Sequence, residues 1–131
     1  MIRRSKHITR SMLAAEPNSL FLFGDNFRRR GHGGQAREMR GMPNAVGLPT
    51  KHGPGRAPGD YLDDDDYELF MSEAIPVVNK LRDHLEAGGI VVIPADGVGT
   101  GLASLPRKAP RIWRVLSAMI LDLEETWGVA P

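Results

Sequence analysis

Apolar residues in this chain fall into two kinds of pattern that take turns: short unbroken runs, and wider sets with helical spacing. Leu20 to Phe23 is an unbroken run closed by Gly24, too short for a helix and typical of a strand covered on both faces. Asn44 to Lys51 is a second strand candidate, with Pro49 limiting ladder pairing near its end. Between about Asp64 and Leu85, the residues Phe70, Ala74, Val77, Val78, Leu81 and Leu85 recur at offsets of 4, 7, 8, 11 and 15. That spacing predicts an amphipathic helix, with Pro76 as a kink or restart and Gly88-Gly89 as its end. Ile90 to Pro94 is the clearest strand, β-branched and apolar throughout. Ile112, Leu116, Met119, Ile120, Leu123 and Trp127 then mark a last amphipathic helix, introduced by Pro106 and Pro110. Residues 1–19 lack such a pattern and read as a loosely packed N-terminal arm with a turn at Glu16 to Ser19.

Strand and helix alternate, so the chain reads as one domain over residues 1–131 of α/β class, with a mixed, mostly parallel sheet covered by helices on both faces. In such sheets ligands bind outside the carboxyl ends of the strands. Two glycine-rich turns lie there. The first strand runs through Gly24, Asp25 and Asn26 into Arg28 to Arg30, Gly31, Gly33, Gly34 and Gln35, and a helix of about two turns over Gly34 to Arg40 follows. The last strand runs into Asp96, Gly97, Val98, Gly99, Thr100, Gly101 and Leu102. Glycines permit positive φ and let main-chain N–H groups crowd around an anion, and a helix N-terminus adds its own amides. Each turn is therefore a candidate phosphate grip, with the Thr100 hydroxyl as a further donor, Gln35 and Arg37 flanking the anion, and Asp25 and Asn26 placed to meet a ribose hydroxyl or a base edge. The second matches neither the P-loop nor the dinucleotide fingerprint. Lys51 ends the second strand and, were that strand central, would point into the same crevice. The segment His52 to Gly59, rich in Gly and Pro, reads as an exposed, mobile excursion able to close over a site.

Composition narrows the chemistry. With 41% hydrophobic and 25% charged residues the chain is ordinary globular protein, and the absence of cysteine excludes disulfides and thiolate chemistry and fits a reducing, cytoplasmic setting. No apolar run suggests a membrane span. The net charge of +1 conceals an asymmetry: residues 1–40 hold nine Lys/Arg against three Asp/Glu, whereas residues 60–86 hold two against nine. The basic share surrounds the first glycine turn and suits an anionic ligand. Asp63 to Asp66 reads as helix capping, because the EF-hand pattern is missing, and no His pair has zinc spacing, so neither metal nor cofactor is expected.

These segments together resemble the macrodomain superfamily, the ADP-ribose-binding fold, and within it the branch of DNA-ADP-ribosyl glycohydrolase antitoxins and ADP-ribosyl-glutamate hydrolases. The resemblance rests on Gly24-Asp-Asn through Gly-Gly-Gln-Ala36, on Gly47-Leu-Pro-Thr-Lys51, and on Ile93 through Gly-Val-Gly-Thr-Gly-Leu102. It implies a macro-like domain binding ADP-ribose or an ADP-ribosylated macromolecule, with a strand-ending lysine, here Lys51, as a catalytic residue. An acidic residue is expected just after the second Gly-Leu, and Ala103 stands there instead. Either Asp25 or Asp96 supplies the carboxylate while Lys51 attacks or orients the anomeric carbon, or the protein binds without turnover. A monomer or weak oligomer is expected. The alternative is a nucleic-acid-binding accessory protein that uses Arg3, Arg4, Arg10 and Arg28 to Arg30 on a phosphate backbone, although 6% aromatic residues leave little stacking surface.

Overall fold

The computed structural model describes all 131 residues. Its elements run β1 (Ile2–Ser5), α1 (Arg10–Ala15), β2 (Leu20–Asn26), α2 (Ala36–Met39), β3 (Ala45–Lys51), α3 (Tyr67–Glu86), β4 (Val91–Pro94), α4 (Leu105–Lys108) and α5 (Pro110–Trp127). The four strands form one sheet in the order β1-β4-β2-β3, with every neighbouring pair parallel. The fold is α/β, as the alternation predicts, and the sheet is wholly parallel rather than mixed.

Strand side chains alternate between faces, and the two faces bury different helices. Leu22, Leu48, Val91 and Ile93 pack on one face against Phe70 and Leu81 of α3 and Ile112 and Leu116 of α5. Phe21, Phe23 and Val92 pack on the other against Leu13 of α1 and Ala36 and Met39 of α2. Each such fully buried side chain contributes about 1.5–3 kcal/mol of transfer free energy.

The N-terminus corrects the expectation of a loose arm. β1 pairs with β4 from Ile2↔Val91 to Ser5↔Pro94, and Ile2 is fully buried. At a sheet edge a strand this short needs only one core residue, so no alternation marks it. Arg3 and Arg4 instead anchor it, donating to Glu16 at 2.7 Å and to Glu124 at 2.6 Å. The acidic run Asp63 to Asp66 does cap helices, and one of its members acts at a distance. Asp63 and Asp66 close their own turn, while the Asp64 carboxylate accepts from the Arg111 and Ile112 amides at 2.9 and 3.3 Å and so caps α5. No helix is long and apolar enough to cross a membrane.

Two features place the site. β2 pairs with β4 only at Leu20↔Val91 and Phe21↔Val92, then the two strands part, whereas β2 stays paired with β3 to its end. The chain leaving β2 turns to α2 on one face, and the chain leaving β4 turns to α4 and α5 on the other. A crevice therefore opens between the carboxyl ends of adjacent strands, the position at which open parallel sheets bind ligands.

Candidate functional site

A cleft of about 210 Å³ lies where β2 and β4 part. Arg30, Gly31 and Gly33 to Ala36 of the first glycine turn line one wall, and Gly99, Gly101, Leu102 and Ala103 line the opposite wall. Gly24, Asp25 and Asn26 at the end of β2 and Thr50 and Lys51 at the end of β3 complete the lining, with Pro54 at the rim. The walls touch: a Cβ built on Gly34 would lie 3.3 Å from the Leu102 side chain, and one on Gly24 would lie 3.8 Å from the Gly99 nitrogen. Two turns far apart in sequence thus share one hollow.

The main-chain amides of residues 31–36 and 98–103 donate no hydrogen bond to any protein acceptor. His32 to Gly34 and Thr100 to Leu102 are exposed, so their amides are open to water or to an anion, and successive free amides along a glycine turn can cradle an anion. Both turns lie on the one cleft. The helices that follow, α2 and α4, have only four residues each, so the expected dipole contribution is small and the loop amides carry the site instead. A non-glycine residue stands in the left-handed region near each turn, Arg29 at φ 55° and Ser104 at φ 51°. Each costs about 1–2 kcal/mol, a strain found mainly at functional sites.

Asp25 is the electrostatic anchor of the first wall. Its carboxylate accepts from both terminal nitrogens of Arg40, from Arg29 at 3.1 Å and from the Asn26 amide at 2.8 Å. Both oxygens are saturated by guanidinium and amide donors, so Asp25 has no lone pair to spare for the proton-handling role expected of it. Arg40 goes on to donate to the carbonyls of Gly31 at 2.7 Å and Arg30 at 3.2 Å, which fixes the loop that presents the first amide run. Asn26 is likewise occupied, donating to the Arg30 carbonyl at 2.7 Å. Asp25 and Asn26 shape the wall rather than waiting free for a ribose.

On the second wall, Gly99 and Leu102 lie in the cleft, while Val98 is almost wholly buried in the core. Thr100 is exposed, and its hydroxyl donates to the Asp96 carbonyl at 2.8 Å. Asp96 is exposed and lines not this cleft but a second hollow of about 290 Å³ on the far side of the same turn. That hollow is walled by Arg4, Trp113, Ile120 and Glu124 as well. Arg37 is exposed and does not line the cleft. Gln35 does line it, and its amide group joins the two walls, accepting from the Gly24 N–H at 2.7 Å and donating to the Gly97 carbonyl at 2.9 Å.

Lys51 lines the cleft from β3, which is an edge strand and not a central one. The Gly/Pro segment is exposed from Pro54 to Gly59, as expected, and folds back along that edge, bridging Lys51 to Tyr61, where the Asp60 carbonyl accepts the His52 amide at 2.9 Å and its carboxylate the Ala57 amide at 3.2 Å. The Lys51 ammonium donates to the Gly55 carbonyl at 2.5 Å and lies 4.7 Å from the Tyr61 ring. Burial pushes the Lys51 amine below the ordinary lysine value, with Asp60 opposing that shift and Arg56 adding to it.

The lining therefore holds Arg30, Arg40 and Lys51 against the single carboxylate of Asp25, and Arg30 has no ion-pair partner. Ala103 lines the cleft at the position where the resemblance expects an acid. Arg40, Thr50 and Pro54 have no sequence signature. The partner of Arg40, Asp25, lies 15 residues upstream and meets it only because α2 doubles back.

The chain belongs to a family of unknown function, DUF7831, whose pattern matches residues 3–119 and so includes most of β1, both glycine turns and Lys51. No curated protein and no solved structure matches it.

Proposed function

We propose that the cleft binds ADP-ribose or an ADP-ribosylated group, with the pyrophosphate lying between the two amide runs. The observation that carries this reading is that the two glycine turns line one cation-rich hollow, through Gly31, Gly33 to Ala36, Gly99 and Gly101 to Ala103, and leave those main-chain amides without protein acceptors. An anion with two phosphates matches two runs better than one phosphate does. At about 210 Å³ the cleft is smaller than the roughly 300–1,000 Å³ usual for whole organic ligands, which suits a pyrophosphate and one ribose. The distal ribose then lies toward Lys51, and the base reaches across the second turn to the hollow beside Trp113 and Ile120.

Binding, not turnover, is the activity we assign. Hydrolysis at the anomeric carbon needs a group to manage a proton, and the cleft offers no free carboxylate once Asp25 is saturated and Asp96 faces outward. We take the setting to be the cytoplasm, which the cysteine-free composition suits. The nucleic-acid alternative loses support from its own arginines: Arg3, Arg4 and Arg29 are spent on Glu16, Glu124 and Asp25, and the Arg10 guanidinium donates to the main-chain carbonyls of Glu38 and Arg40. Calorimetric titration with ADP-ribose tests the reading. Saturable heat is expected, and flat titrations with ADP-ribose, NAD and ATP alike would end it.

A further inference from the structure

Strands that part leave ladder groups unpaired, and the way β2 and β4 solve this has a consequence for what the cleft selects. Beyond Phe21↔Val92 the two strands no longer bond, yet the Gly24 N–H of β2 and the Gly97 carbonyl just after β4 are both satisfied. One side chain satisfies both. Gln35 Oε1 accepts from Gly24 at 2.7 Å and Gln35 Nε2 donates to Gly97 at 2.9 Å, so the carboxamide replaces a rung of the missing ladder. No other side chain hydrogen-bonds to both walls.

The same residue belongs to the first amide run through its main-chain N–H, and Gly97 immediately precedes the second run. A carboxamide has fixed dimensions and must both accept and donate here, so it sets the separation of the two runs. We propose that Gln35 is a positioning residue whose side-chain rung fixes the gap between the amide runs and thereby selects a pyrophosphate over a single phosphate. This rests on the phosphate reading of the cleft. A single phosphate engages either run whatever the spacing, whereas a pyrophosphate needs both at one distance.

The test uses inorganic pyrophosphate and orthophosphate as probes, titrated into the wild type and into Gln35→Met, with Gln35→Glu as a second variant. Methionine keeps the volume and removes both bonds; glutamate keeps the acceptor for Gly24 and loses the donor to Gly97. Pyrophosphate affinity is expected to fall about tenfold in Gln35→Met, the scale set by leaving buried polar groups unpaired, while orthophosphate affinity changes less than about twofold. Should Gln35→Met fail to fold, Gln35→Leu, which is also uncharged and also removes both bonds, carries the same comparison, and Gln35→Glu is read by hydrogen exchange alone because its charge repels both anions. A parallel loss for both anions, or no loss for either, overturns the proposal. Hydrogen exchange without any ligand separates this claim from the wider reading: the Gly24 amide is expected to be protected in the wild type and to exchange faster in Gln35→Met. If the wild type binds neither anion, the phosphate reading fails, and equal Gly24 protection in both proteins removes the rung on its own account.

Discussion

Gly99 and Gly101 sit two residues apart on the same wall, and replacing each by alanine separates the fold from the site. Gly99 has φ +84°, and a Cβ there would fall 2.5 Å from Cδ1 and 3.1 Å from Cγ of Leu105, which is fully buried. The left-handed backbone costs an L-residue about 1–2 kcal/mol. Forcing a methyl group into packed Leu105 adds about 1–3 kcal/mol. The sum, roughly 2–5 kcal/mol, is a large part of the ~5–15 kcal/mol that holds a domain folded. At roughly 3 °C per kcal/mol for a chain of this size, Gly99→Ala is expected to melt roughly 6–15 °C lower. Gly101 has no atom within 4 Å of a built Cβ and no left-handed φ, so Gly101→Ala is expected to stay within about 0.5 kcal/mol of wild type. Thermal melts followed by circular dichroism make the comparison. Equal losses at the two positions would refute the packing argument, because only one of them meets Leu105. Gly101→Val then becomes the clean probe of binding, with the melt preserved and ADP-ribose affinity reduced at least about tenfold by a branched side chain on the cleft wall.

Arg40→Met strips the nearly buried Asp25 of its two Arg40 bonds and leaves Arg29 alone to pair it, so a loss of about 3 kcal/mol in urea unfolding is expected; an unchanged midpoint would contradict the anchor assigned to this pair. Asp64→Ala uncaps α5 and is expected to cost about 1 kcal/mol, whereas Asp65→Ala, at an exposed side chain, stays near zero by the same unfolding assay. Lys51 yields a pH signature. With its folded value lowered by burial, the ammonium is lost before the ordinary lysine range, so pyrophosphate affinity is expected to fall as pH rises through that lowered value, while Lys51→Arg holds its affinity. Between the lowered and the ordinary value the unfolded chain binds more protons than the folded one, so this group makes stability rise with pH in that window; a titration that falls identically for wild type and Lys51→Arg would remove Lys51 from anion binding.

What could be read from the sequence follows from what is local. β2, β3, β4, α3 and α5 each declare themselves through runs or helical spacing, because they bury several residues apiece. β1 does not, since an edge strand with Ile2 as its core residue carries no period to detect. The glycine turns were legible as turns, and their placement at strand ends followed from the alternation. Their shared hollow depends on β2 and β4 being neighbours, which no local pattern encodes. The roles within the turns were the least legible: Asp25, Asn26 and Thr100 are polar residues in the expected places, and each is consumed by internal hydrogen bonds. Gln35 was visible as a polar residue beside a glycine pair, but its second partner lies 62 residues downstream.

Amide NMR spectra recorded during titration with ADP-ribose give the most direct test of the claim that two distant turns make one anion site. Resonances from both 31–36 and 98–103 are expected to move together along one saturation curve. Movement confined to one run, or saturating changes located away from both, would contradict it.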